Sequence, residues 1–484
     1  MSSIQAIVQA AQQARDQGLW QRASDLYRQA NQLAPRQAEI THNLALCLLA
    51  LGQHREAVAV CTETLAIKPN VWQTQVVWAK CQQALGEIET ADQSYCRILK
   101  AHPNQASALS GRADLALNYF GDPLAAAALV EPLLTQPDDA MDAQLTQLMS
   151  RLYDRDPGDS ASHLARDAKR FAKTHLQLSG PLLTPKVREG ASSAGGAGHV
   201  RRPRVGLLSN QFSVSPVYFL TISGWQHVAK GCDIILFNRG HQRDWASEAF
   251  FSLASAVMDV QHLPALALAR AIANEQIDVL YDLGGWMDPI GLQALSLKPA
   301  RVQYKWVGGQ GMTTGLSCFD GWIGDAQQSP LCLQRLYSEP LIAVEGGYAS
   351  YTPPSYLPTP ARSKSATPCI FSNPAKVSRA FLAYLKTLPG KKVFIHRQYR
   401  FARTQERITA ALGAAQVEFI CPQSHVEALM ALNQHATMID TFPYSSGLTA
   451  YEATALGTGI QCAPQAAQGQ LFAERHTARY WAGA

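Results

Sequence analysis

A chain of 484 residues, 47% of them hydrophobic, can bury two or three separate cores, so about three domains are expected. Charged residues make up 16% and the formal net charge is only +5, a field too weak to argue for nucleic acid or an anionic membrane as a partner. The ten cysteines never form a C-x-x-C pair and most lie in apolar runs, which reads as reduced core thiols. The first twenty residues lack the basic start and apolar core of a signal peptide, and no run of eighteen apolar residues follows. The expected setting is therefore the cytoplasm, without a membrane partner.

In chain order, the first feature is a repeat. Pro35, Pro69, Pro103 and Pro137 are spaced by 34 residues. Twelve residues before each stands Ala23, Ala57, Ala91 or Ala125, where two helices approach closely, and eight before each stands Tyr27, Cys61, Tyr95 or Leu129, a core knob. Gly18, Gly52 and Gly86 keep the same spacing as helix-to-helix turns, and the fourth repeat slips by one to Gly121. This period defines tetratricopeptide (TPR) repeats, an α superhelix whose concave face suits an extended peptide or helix of a partner protein. Residues 141 to 178 read as further helices capping the array, which gives a first domain of 1–178. Residues 179–203, rich in Gly, Ser and Pro, read as a mobile linker.

Beyond the linker, short β-rich apolar runs alternate with helical stretches, the mark of parallel sheets with crossover helices. Runs at 205–209, 234–237, 279–282, 302–307 and 322–325 predict one doubly wound domain, 204–354. Runs at 369–371, 393–396, 417–420, 437–440 and 459–462 predict a second, 369–484, with a proline-rich hinge at 355–368. Two such domains place their chemistry in the cleft at the carboxyl ends of the strands. Five polar or glycine-rich loops follow strands directly: Ser209-Asn210, Asp282 to Trp286, Gly308 to Gly315, Asn373 to Lys376 and Asp440 to Thr449.

The loop Tyr444 to Thr449 opens onto a helical stretch, where free N–H groups and the helix dipole suit phosphate oxygens. Thr449 adds a hydroxyl, and Glu452, one turn on, can accept both hydroxyls of a ribose. The competing structural reading makes Thr449 and Glu452 an ordinary capping box. No D-x-D or histidine cluster stands where it would hold a metal, so neither metal nor separate cofactor is expected.

Three blocks, LKPARVQYKWVGGQGMTTG (297–315), FSNPAKVS (371–378) and IDTFPYSSGLTAYEATALGTG (439–459), resemble in wording and order those of the O-GlcNAc transferase/SPINDLY family of glycosyltransferases. That family carries TPR repeats ahead of two Rossmann-like halves, the GT-B fold. The resemblance implies a nucleotide-sugar, first of all UDP-GlcNAc, as donor substrate and a protein as acceptor. It makes Lys376 the cation facing the donor diphosphate, Thr449 a hydroxyl donor to it, Glu452 the ribose acid and His425 the residue packing on the base. Asn373, Ser446 and Gly447 belong to the same binding loops. The bland alternative for Lys376 is a surface lysine at a helix start.

The acceptor side departs from the pattern. Ser215 and Phe219 stand where the family carries histidines, and Arg270 with Ala273 or Asn274 where it carries an Asp and a His. Family members also continue past the point matching Ala484, toward a last helix expected to return to the first half. Among residues left in the first half, Asp282 is the best-placed candidate base, against the alternative that it stabilises its loop. His227 and His241 are weaker candidates. Two functions follow: an inverting, metal-independent glycosyltransferase with catalytic Lys376 and Asp282, or a non-catalytic TPR scaffold with a degenerate transferase domain.

Overall fold

The computed structural model describes residues 3–185 and 201–481, and the chain divides into two compact units, Met1–Gln147 and Leu148–Ala484. The first unit is a run of antiparallel helix pairs: Ser3–Asp16 with Trp20–Leu33, Ala38–Ala50 with His54–Ile67, Trp72–Ala84 with Ile88–Ala101, and Ala106–Asn118 with Pro123–Val130. Gly18, Gly52 and Gly86 have φ of 73°, 73° and 86°, the left-handed conformation that ends one helix and turns the chain into the next. Ala23, Ala57 and Ala91 are fully buried, as are the knobs Tyr27, Cys61 and Tyr95.

The fourth repeat differs from the expected register. Ala126 and Val130, rather than Ala125 and Leu129, fill the core positions. The turn glycine, Gly121, arrives one residue late, and Asp122, accepting from Ala125 N–H at 3.1 Å ahead of Pro123, restarts the helix one residue further on. Four cysteines (Cys47, Cys61, Cys81 and Cys369) are buried and Cys332 is exposed, so the reading of core thiols holds for the buried four.

In the second unit, the first sheet holds β1 (Arg204–Ser209), β2 (Asp233–Asn238), β3 (Ala256–Asp259), β4 (Val279–Asp282), β5 (Val302–Lys305), β6 (Gly321–Gly324) and β7 (Leu341–Ala343), in the order β3-β2-β1-β4-β5-β6-β7. The second holds β8 (Cys369–Ile370), β9 (Lys392–Ile395), β10 (Val417–Ile420), β11 (Thr437–Ile439) and β12 (Gly459–Gln461), in the order β10-β9-β8-β11-β12. All these pairings are parallel. In each sheet the winding reverses once, between β1 and β4 and between β8 and β11, and a crevice opens at such a switch point beyond the strand ends.

The helices expected to cap the array after residue 147 belong instead to this second unit. Ala161–Phe171 packs by Phe171 against Trp286, with ring centroids 5.7 Å apart. The following turn is tied down by Gln293 Nε2 donating to His175 O at 2.9 Å, and Ser296 Oγ accepts from Leu178 N–H at 3.0 Å. These apolar faces and backbone groups find partners on the 3₁₀ turn Gly285–Met287 and the helix Pro289–Leu295 that follow β4, which is why 148–178 cannot be assigned to the array.

The ends of the expected linker are likewise anchored: Leu183 N–H donates to Leu297 O at 2.8 Å, and Arg202 pairs with Asp233 at 3.1 Å. Residues 186–200 of that linker lie outside the described residues. The expected hinge, 355–368, is strapped along the second half by Ala361 N–H donating to Asn433 Oδ1 at 3.0 Å and Lys364 Nζ to Leu456 O at 2.7 Å.

Candidate active site

A cavity of ≈ 680 Å³ lies between the carboxyl ends of the two sheets. Loops after all five strands of the second sheet line it: Asn373 and Lys376 after β8, His396 and Arg397 after β9, His425 after β10, Tyr444, Gly447, Thr449 and Glu452 after β11, and Phe472 and His476 after β12. The first sheet contributes Gln211, Ser215 and Phe219 after β1 and Val307 to Gln310 after β5.

Lys376 ends a single 3₁₀ turn, Pro374–Lys376, which is shaped by Asn373 Oδ1 accepting from Ala375 N–H at 2.9 Å. Its Nζ donates to Ser445 O at 2.9 Å and stands 4.3 Å from the centre of the Tyr444 ring. It forms no ion pair among the described residues. Desolvation lowers its pKa to about 8, opposed by the charge of Asp440. An ammonium stripped of water and lacking an ion-pair partner is a strong attractor for an anion. The surface-lysine reading does not fit this cavity-wall position.

The β11 loop is held from inside by buried Asp440, which accepts from Ser446 N–H at 2.8 Å and from Thr477 Oγ1 at 2.5 Å. Ser446, expected to bind ligand, is only 1% exposed, and its amide is consumed by Asp440, so it shapes the loop rather than lining the cavity. The helix Leu448–Ala455 begins after Gly447 with no side-chain cap, which overturns the capping-box alternative for Thr449 and Glu452. Glu452, almost fully buried, instead meets His425: its Oε1 is 2.7 Å from Nε2. The other ring nitrogen of His425 is 2.9 Å from Tyr356 OH, and Phe219 packs on the same imidazole with centroids 5.3 Å apart.

Asp282, expected as a base, does not line the cavity. It is 1% exposed, accepts from Gly284 N–H at 3.0 Å and Gly285 N–H at 3.1 Å, and pairs at 3.3 Å with Lys305, whose Nζ also donates to Asp282 O at 2.9 Å and Val307 O at 2.9 Å. This clamp draws the 308–315 loop against the 283–285 turn, with Gly308 and Gly309 at φ of 59° and 57° letting the two backbones touch. Asp282 is thus the loop stabiliser of the competing reading. His227, His241, Arg270, Ala273 and Asn274 do not line the cavity either, whereas the substituted positions Ser215 and Phe219 are in its wall.

Sequence reading missed His396, Arg397 and His476. His396 ends a recognisable strand run and was legible as a strand-end residue. His476 had no motif around it. Burial and neighbouring cations, Lys376 among them, hold the imidazoles of His396 and His476 down at about 4 and about 3, so both are neutral.

It missed as well three consecutive residues at the end of the helix Ala140–Tyr153. Tyr153 stacks on Tyr444 with centroids 4.9 Å apart and 13° between planes. Asp154 accepts from Arg379 N–H at 3.0 Å, and Arg155 forms a buried ion pair with Glu474. Each clips onto a different element of the second half, at Tyr444, Arg379 and Glu474.

Repeats followed by two facing, doubly wound parallel sheets with a cavity at their switch points make this a TPR protein with the GT-B architecture. The tetratricopeptide repeat family matches residues 14–76. A probable UDP-N-acetylglucosamine–peptide N-acetylglucosaminyltransferase SPINDLY of Hordeum vulgare is 24% identical over 357 residues, 68% of this chain and 36% of that protein. The probable transferase SEC of Arabidopsis thaliana is 27% identical over 188 residues, 38% of this chain and 18% of its own length. The chain therefore spans well under half of these relatives. Among solved structures, a mutant O-GlcNAc transferase of Thermobaculum terrenum matches with a TM-score of 0.66 and 20% identity, covering 99% of this chain and 85% of that one. In sequence and fold the chain is similar to these O-GlcNAc transferase and SPINDLY proteins.

Proposed function

We propose that this protein is a glycosyltransferase that moves a sugar from a nucleoside diphosphate donor to a hydroxyl of a protein, with UDP-GlcNAc as the first donor to test. One observation carries the reading: Lys376, an ammonium without an ion-pair partner among the described residues, faces a cavity into which the uncapped N-terminus of the helix Leu448–Ala455 also opens. Both attract phosphate oxygens. The relatives described above, probable UDP-N-acetylglucosamine–peptide N-acetylglucosaminyltransferases, support the donor and acceptor class.

In the proposed reaction the acceptor oxygen bonds to the anomeric carbon as that carbon's bond to the diphosphate oxygen breaks, with inversion, and the hydroxyl proton leaves to a base. The negative charge grows on the departing diphosphate, where Lys376, the hydroxyl of Thr449 and the free helix N–H groups stabilise it without a required metal. Glu452 holds the ribose with the carboxylate oxygen that His425 does not take, and the aromatic layer of His425, Phe219 and Tyr356 lies beside it. The TPR array recruits the acceptor on its concave face.

The scaffold reading has an observation of its own: Asp282 is locked in a structural clamp, and the wall facing the donor loops carries Ser215 and Phe219 instead of imidazoles. Titration calorimetry with a panel of nucleoside diphosphate sugars, followed by a nucleotide-release assay on the same samples, separates the two. Binding with release of nucleoside diphosphate supports the transferase, binding without release supports a scaffold that senses nucleotide-sugar, and no binding by any member of the panel removes the transferase and leaves a scaffold kept for its shape.

A further inference from the structure

The cavity contains a histidine that none of the family-like motifs includes. His476 lines it beside Tyr444, with ring centroids 6.0 Å apart, and stands edge-on to Phe472 at 5.3 Å. Two hydrogen bonds fix its position: its backbone N–H donates to Ser445 Oγ at 2.9 Å, and its Nδ1 is 2.5 Å from Gln328 Nε2. With the Gln328 amide in this orientation its nitrogen donates, which makes Nδ1 the acceptor and puts the ring proton on Nε2. That N–H has no protein partner among the described residues.

Lys376 hangs from the same two residues. Its Nζ donates to Ser445 O at 2.9 Å and lies over the Tyr444 ring at 4.3 Å. The His476 ring also abuts the start of the helix Leu448–Ala455: its Cδ2 is 4.0 Å from the point where a side chain on Gly447 would begin. Burial, with Lys376 and Arg479 nearby, keeps the imidazole neutral at a pKa of about 3. A neutral imidazole can donate a hydrogen bond to developing negative charge without itself being charged.

We propose that His476 donates from Nε2 to the diphosphate of the bound nucleotide, as a second, uncharged ligand beside Lys376. This rests on the nucleotide-sugar reading and adds a group to it. A diphosphate ligand affects UDP binding and leaves uridine binding alone, whereas a packing role under Tyr444 and Phe472 affects both equally.

The test is calorimetry with UDP and with uridine on the full chain and its variants. His476→Phe keeps a ring and loses the donor, and UDP affinity is expected to fall at least about tenfold, the scale of a hydrogen bond to a charged group, with uridine unchanged. His476→Gln keeps a neutral N–H and is expected to retain more UDP affinity than the phenylalanine variant. Should His476→Phe fail to fold, His476→Ala decides by the same ratio of UDP to uridine loss. Full UDP affinity in the donor-less variant, equal loss of UDP and uridine, or a glutamine variant weaker than the phenylalanine one overturns the proposal. If UDP does not bind the parent chain, or Lys376→Ala binds it undiminished, the nucleotide reading itself falls and His476 with it. Loss in Lys376→Ala without loss in His476→Phe overturns the assignment of His476 alone.

Discussion

Lys376 shows how burial converts a common surface residue into a binding group. Its ammonium is desolvated, is given a carbonyl and an aromatic face, and is left without an ion-pair partner among the described residues, so the proposed diphosphate would meet a cation that water no longer screens. Lys376→Ala is expected to weaken UDP binding by about 2 to 4 kcal/mol, between the loss of a charge-assisted hydrogen bond and that of a buried ion pair; calorimetry on the two proteins measures it. The free-state pKa of about 8 adds a sign: the anion needs the protonated lysine, so affinity should hold below that pH and decline as pH rises through it. A flat profile from pH 7 to 9.5 would contradict this. Glu452 was visible in the sequence as either a ribose acid or half of a capping box. Local spacing could not separate these, because its actual partner, His425, is distant in sequence. Glu452→Gln should cost about 1 to 3 kcal/mol of UDP affinity and leave the melting temperature near that of the parent. A lower melting temperature with intact binding would make the His425–Glu452 pair structural.

At the scale of elements, most of the fold was legible because it follows from periodicity: the 34-residue repeat and the apolar runs that became strands need only local sequence. What stayed hidden depends on long-range contacts. Asp282 at a strand end is open in sequence to a base or a loop stabiliser, because the pairing with Lys305 across neighbouring strands that decides for the stabiliser leaves no local trace. The segment Tyr153 to Arg155 looked like the end of a capping helix, yet it touches the β11 loop, the start of the helix Arg379–Thr387 and Glu474 in turn. Tyr153→Ala should therefore lower UDP affinity through Tyr444, by about 0.5 to 1.5 kcal/mol on the scale of an aromatic pair. A chain beginning at residue 201 should lose UDP binding that a chain beginning at residue 140 keeps. Equal affinity in the two truncated chains would remove the segment from the site.

For the whole molecule, the division at residue 147 changes what separable parts mean. The chain after it packs on the turn and helix that follow β4, so cutting between residues 186 and 200 does not cut between compact units. A protease site engineered there should yield two fragments that co-elute on size exclusion and still bind UDP; fragments that part under native conditions would contradict the assignment. Sugar transfer itself is read by mass spectrometry. Proteins incubated with the full chain and UDP-GlcNAc should gain the mass of one N-acetylhexosamine on serine or threonine, with UDP released, and Lys376→Ala should abolish the gain. UDP-GlcNAc bound by the parent chain, with no release of UDP and no modified protein, would contradict the transferase account and leave a nucleotide-sugar-binding scaffold.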